Sequence, residues 1–175
     1  MSSEAVATES NSSVAAETDM TVDSDHYAAA GGVDAGTEVD TINDDLNGAV
    51  HPETGVVYES VVVELPGGEW IEGVFPQFDY AYMGELPTEM FLSSDYEQFS
   101  YMNGQLAAAV EQDPMLASEF TMDQLTQIVA GDTPDGYVWH HTEVPGQMEL
   151  VDEETHARSA HTGGRSLWGG GSEFR

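Results

Sequence analysis

The sequence predicts an α+β fold behind a disordered acidic N-terminal tail. Three observations predict it. A β-branched run, Gly55–Glu64, is followed by the turn signal Leu65-Pro66-Gly67-Gly68 and a second apolar run, Glu69–Phe75. Two capping boxes, Ser94 with Glu97 and Thr121 with Gln124, open helices in the middle of the chain. A strand–turn–strand–helix pattern, rich in histidine, follows between about residues 136 and 165.

Residues 1–48 are rich in Ala, Ser, Thr, Gly and Asp, and their first aromatic is Tyr27. Too little apolar surface is present to offset the entropy of ordering them, so the tail is expected to be disordered. Order is expected from His51-Pro52, and residues 49–175 are expected to form one domain. The two apolar runs read as a β-hairpin, with Pro76-Gln77-Phe78 breaking its second strand. A helix is expected from Asp95 to Glu111, with Phe99, Met102, Leu106 and Val110 on one buried face. Asp113-Pro114 restarts the chain as a helix N-terminus. The helix after Thr121 should turn Leu125, Ile128 and Val129 inward and stop at Gly131. Tyr137–His141 and Gln147–Val151 then read as strands around the Pro145-Gly146 turn. Asp152 caps a helix whose first turn holds Glu153 and Glu154.

Charge and composition exclude several classes. The 175 residues hold 33 acids against 3 basic residues, a net charge of -30, and no cysteine. Disulfides, iron–sulfur clusters and thiolate zinc sites are therefore out. No run of about 18 apolar residues exists to cross a membrane, and the first 20 residues lack a basic, then apolar, leader. A cytoplasmic, membrane-independent protein is expected. The acids are spread along the whole chain, which fits adaptation to molar salt, as in halophiles; at about 1 M the Debye length is only about 3 Å. A protein imitating the phosphate lattice of DNA is the rival reading of the same charge.

Six histidines occur, and four fall between 140 and 161: His140, His141, His156 and His161. In a regular strand His140 and His141 point to opposite faces, so one can bind a metal while its neighbour faces substrate. His156 and His161 are five apart, which places the second just past the helix end, where Thr162-Gly163-Gly164 unwinds it. Three neutral imidazoles on one divalent ion leave a position open, the arrangement of a catalytic site. All three basic residues, Arg158, Arg165 and Arg175, lie beside or after this cluster. Arginine suits bidentate phosphate contact, and Arg165 is the stronger candidate.

Trp139-His140-His141, Met148-Glu149-Leu150-Val151, His156, His161-Thr162-Gly163-Gly164-Arg165 and Trp168-Gly169-Gly170 resemble the WHH family of the HNH/endonuclease VII nuclease superfamily. Gly73-Val74-Phe75-Pro76-Gln77-Phe78 and His51-Pro52-Glu53-Thr54-Gly55-Val56 are similar to phrases that precede that motif. The resemblance implies a ββα-metal fold and metal-dependent phosphodiester cleavage, often as a toxin domain in bacterial conflict. Carried over by position, it implies His140, His156 and His161 as ligands of one divalent ion, with Zn, Mg, Mn and Ni equally compatible. His141 becomes the general base and Arg165 a phosphate contact. DNA is the implied substrate, RNA being the alternative, and a cognate immunity protein the implied partner. The surface departs from the pattern, because nucleases present a basic groove to the phosphate backbone. A non-catalytic acidic binder, either a degenerate nuclease domain or a DNA mimic, is the competing function.

Overall fold

The hairpin, the capped helices and the histidine-bearing strand all form, the last of these in a second sheet. A computed structural model describes residues 36–174. The elements in order are β1 (Thr37–Glu38), β2 (Ala49–Val50), β3 (Val57–Glu64), β4 (Trp70–Gln77), β5 (Tyr80–Glu85), α1 (Asp95–Gln112), α2 (Pro114–Ala117), α3 (Met122–Ala130), β6 (Tyr137–His141), β7 (Gln147–Asp152), α4 (Glu153–Arg158) and α5 (Gly164–Leu167). One sheet has the order β1-β4-β3-β2 and the other β5-β7-β6.

Strands β3 and β4 are antiparallel from Val57 opposite Gln77 to Glu64 opposite Trp70. Gly68, at φ 82°, makes their turn, and Leu65 N–H donates to Glu69 O across it. Pro76 was expected to break β4, yet it sits in the ladder opposite Tyr58. The outer neighbour of β4 is β1, which pairs only with Ile71 and Glu72. Pro76 therefore lies on an open edge, where its missing N–H costs nothing.

The second sheet divides the interior into two cores. Trp139, Met148 and Leu150 face helices α1 and α3, packing with Met102, Leu106, Val110 and Ile128. Val138 and Val151 face the other way, onto Val56, Tyr58 and Phe78. Period-2 alternation along β6 and β7 produces this division. Met102 and Leu106 are fully buried, and truncating either to Ala would cost about 2–5 kcal/mol. Both capping boxes form, at Ser94 with Glu97 and at Thr121 with Gln124. Val129 departs from expectation and is exposed. Ile128 and Leu125 already fill the narrow stripe that α3 turns inward, and Val129 lies about 100° round the helix from Ile128.

The expected N-terminal tail, residues 1–48, overlaps the described residues only in part. Residues 1–35 lie outside the described residues, but 36–48 were also expected to be disordered and are placed. Thr37 and Glu38 pair in parallel with β4, and Thr41 is buried with its Oγ1 donating to Val74 O at 2.9 Å. Backbone and side-chain polar groups anchor this stretch, with Leu46 packed against the core of Val56, Tyr58, Phe78 and Val151. No helix among the described residues is long and apolar enough to cross a membrane.

Candidate metal centre and active site

β6 is an edge strand of its sheet, and its last two residues place two histidines on opposite faces. His140 falls on the side of β3, β4 and α4. His141 falls on the α1 side. His156 comes from α4, whose N-terminus is capped by Asp152 Oδ1 accepting from Thr155 N–H at 2.8 Å. His161 comes from the loop after α4. The ring centroids of His140, His156 and His161 are 4.9–5.2 Å apart. Each offers one nitrogen to a point where the three atoms lie within 4.8 Å of one another. His140 Nδ1 and His156 Nε2 are 3.3 Å apart.

Three features fit this cluster to a divalent cation. First, burial and then the neighbouring imidazoles hold His140 well below the usual histidine range. The same causes bring His156 down to about 4. Burial lowers His161 too, against the hydrogen bond from its ring to Ser159 O. All three are thus neutral at pH 7, the form that donates a lone pair to a metal. Second, His161 Nδ1–H donates to Ser159 O at 2.6 Å, which leaves the lone pair on Nε2. Third, Phe78 touches all three rings, with centroids 4.9–5.5 Å away, and gives the cluster an apolar wall.

His141 lies on the other side of the strand, within the same pocket of about 300 Å³, which also holds the three clustered histidines, Asp95 and Arg165. Its Nε2 is 2.7 Å from Gln98 Oε1. The Gln98 amide nitrogen donates to Met90 O and Phe91 O, so its oxygen can only accept, and His141 must donate from Nε2. The lone pair of neutral His141 is therefore on Nδ1. Phe99 and Trp168 flank the ring, and Trp168 Nε1–H donates to Thr142 O at 2.9 Å.

Arg165, expected to contact phosphate, lines the same pocket. It is buried at 3 % exposure. Its Nη1 donates to Gln98 Oε1 at 3.0 Å and its Nη2 to Ser93 O and Phe174 O. Its Nε is ion-paired with Asp95 at 3.1 Å. The guanidinium thus ties the first turn of α1 to the C-terminal segment. Arg158 is half exposed, pairs with Glu53 and Glu154, and is absent from the pocket lining. Arg175 lies outside the described residues. Sequence reasoning missed Gln98 and Phe78. Gln98 had a signal: it lies one turn before Met102 and two before Leu106, on the buried stripe, so a polar side chain there needed a partner. Phe78 was read as part of a strand break.

A family model for the DNase/tRNase domain of colicin-like bacteriocins matches residues 67–163, more than half of the chain. The chain belongs to this family. No curated protein matches it, and no solved structure does. The matched part of this colicin-type nuclease domain runs from the β3–β4 turn to Gly163 and contains His140, His141, His156 and His161. It starts after β3 and ends before Arg165, so β1, β2, β3 and α5 are additions to the matched region.

Proposed function

We propose that this nuclease domain is a metal-dependent endonuclease of the HNH type that hydrolyses phosphodiester bonds of DNA, and that it operates in concentrated salt. One observation carries the proposal: three neutral imidazoles, His140 buried and His156 and His161 partly buried, meet at one point, with a fourth histidine of fixed tautomer in the same pocket. The Trp139-His140-His141 phrase supports a place among WHH nucleases, and the strand–strand–helix order of β6, β7 and α4 supports a ββα-metal motif. His140, His156 and His161 would hold one divalent ion. A bound ion supplies Lewis-acid stabilisation of the anionic transition state and of the leaving oxygen.

The residues of the chain do the rest. His141 Nδ1 takes a proton from water as the water oxygen bonds to phosphorus and the P–O bond to the leaving oxygen breaks. Gln98 holds His141 in that tautomer. Arg165, ion-paired with Asp95, holds Gln98, which makes Arg165 a positioning residue and not a phosphate contact. A non-catalytic phosphate mimic has no use for a converging cluster of neutral histidines, and this weighs against the competing reading. Membership in a bacteriocin nuclease family supports a toxin role with a cognate immunity protein as partner.

The test is nicking of supercoiled plasmid in 2 M KCl with Zn²⁺, Mg²⁺, Mn²⁺ and Ni²⁺ in turn, with transfer RNA as a parallel substrate. His141→Ala should lower the rate by about 10²–10⁴-fold, the usual contribution of a general base. Gln98→Leu should lose a large part of the same rate while binding metal as the wild type does. Wild-type rates for His141→Ala would exclude the assigned base.

A further inference from the structure

The loop that carries His161 is fixed by a part of the chain that lies outside the family match. Residues 159–163 link α4 to α5, two helices of six and four residues. Such short helices give the loop little support of their own. Its anchors come from far upstream. Ile42 N–H donates to Thr162 Oγ1 at 3.0 Å. Asn43 Nδ2 donates to Ala160 O at 2.6 Å, and Tyr58 Oη–H donates to the same oxygen at 2.9 Å. Thr54 Oγ1 and Ser159 Oγ are 2.7 Å apart. These contacts flank His161 on both sides, and every upstream partner precedes residue 67, where the match begins.

One anchor is itself firmly set: Tyr58 is fully buried and opposes Pro76 in the hairpin. Asn43 is the one non-glycine residue among those described with positive φ, at 67°. That conformation disfavours side chains, though Asn tolerates it better than most. It brings the carboxamide onto Ala160 O. A backbone outlier held by its surroundings, and in contact with a ligand loop, points to function.

We infer that residues 42–58 form a clamp that positions His161, so that metal affinity in this chain depends on a segment that the matched nuclease region does not contain. The inference rests on the metal reading proposed above. Asn43 and Tyr58 are positioning residues: they act on Ser159–Thr162, and through that loop on the His161 ring.

The experiment is calorimetric titration of the full metal-free chain with Zn²⁺ in 2 M KCl, with Co²⁺ absorption as a second readout. The variants are Asn43→Gly, Tyr58→Phe and His161→Ala. Asn43→Gly removes the amide and suits the left-handed backbone; Tyr58→Phe keeps the ring and removes one donor. Each should weaken Zn²⁺ about 10–100-fold, the usual effect of losing a group that orients a ligand. Each should also move the Co²⁺ spectrum toward that of His161→Ala. Thermal melts of the metal-free variants report folding, and Asn43→Gly decides the matter if Tyr58→Phe fails to fold. Wild-type affinity and spectrum in folded Asn43→Gly would overturn the clamp and leave the metal reading intact. Absence of Zn²⁺ and Co²⁺ binding by the wild type would overturn the metal reading itself.

Discussion

Single residues in this protein are tuned in opposite directions within a few ångströms. Burial depresses His140, His156 and His161, while burial and then Glu143 raise Glu149 to about 7. Glu149 stands opposite His140 across β6 and β7. The two kinds of group have opposite signs in the pH dependence of stability. An unfolded imidazole titrates near 6.5 and folded His156 near 4. Between those values the unfolded chain binds more protons, so histidine-derived stability is lost as pH falls through the window. For Glu149 the ordinary value is 4.5 and the folded value about 7. Between these the folded chain binds more protons, so stability is lost as pH rises. The two effects oppose each other between about pH 4.5 and 6.5. Glu149→Gln should therefore raise stability at pH 7 and make the loss on acidification steeper. Chemical denaturation of the metal-free protein at pH 5, 6 and 7 measures both. Equal slopes for variant and wild type would show that Glu149 ionises normally.

At the scale of elements, the site depends on how closely short segments approach one another. A Cβ on Gly164 would overlap Thr142 O and the indole of Trp168. Gly164→Ala should thus push α5 off β6, costing on the order of 1–3 kcal/mol, as overpacking does. It should also disturb His141, whose ring lies against Trp168; the readouts are the thermal midpoint and the plasmid-nicking rate. The sequence made much of this element order legible. Both capping boxes, the Pro-Gly turns and the alternation that sends His140 and His141 to opposite faces are local signals, and local geometry obeys them. Three features were not legible. Strand β5, Tyr80–Glu85, pairs with β7 across more than 60 residues of sequence, and a bulge interrupts its register near Tyr80. Its residues, Tyr-Ala-Tyr-Met-Gly-Glu, alternate too weakly to announce a strand. Residues 36–48 are held by hydrogen bonds to distant partners and by Leu46 against the Tyr58 core, which composition cannot register. The chemistry of Arg165 suits a phosphate contact, but its burial and its partners Asp95, Gln98 and two carbonyls arise from distant parts of the chain that no local signal shows.

For the whole molecule, charge decides how a substrate can be held. An ordinary nuclease binds DNA by releasing counterions from the phosphates that its cations neutralise, so log K falls with log[salt] at a slope near -0.9 per phosphate for duplex DNA. Here the whole chain has three arginines and no lysine. Among the described residues Arg165 is buried and Arg158 is already paired with Glu53 and Glu154. Few phosphates can be neutralised, while 33 acids repel the duplex at long range. Raising salt then removes repulsion without removing much attraction. The affinity of His141→Ala for a labelled duplex, with metal present, should stay level or rise from 0.1 to 2 M KCl, where a basic nuclease would lose it by orders of magnitude. The thermal midpoint should climb over the same range, because self-repulsion of the acidic surface is screened within about 3 Å near 1 M. Fluorescence anisotropy and melting curves across the salt series read both quantities. A steep negative salt slope would mean that cations do hold the phosphate backbone, and the proposed reliance on metal and short-range contacts would fall with it.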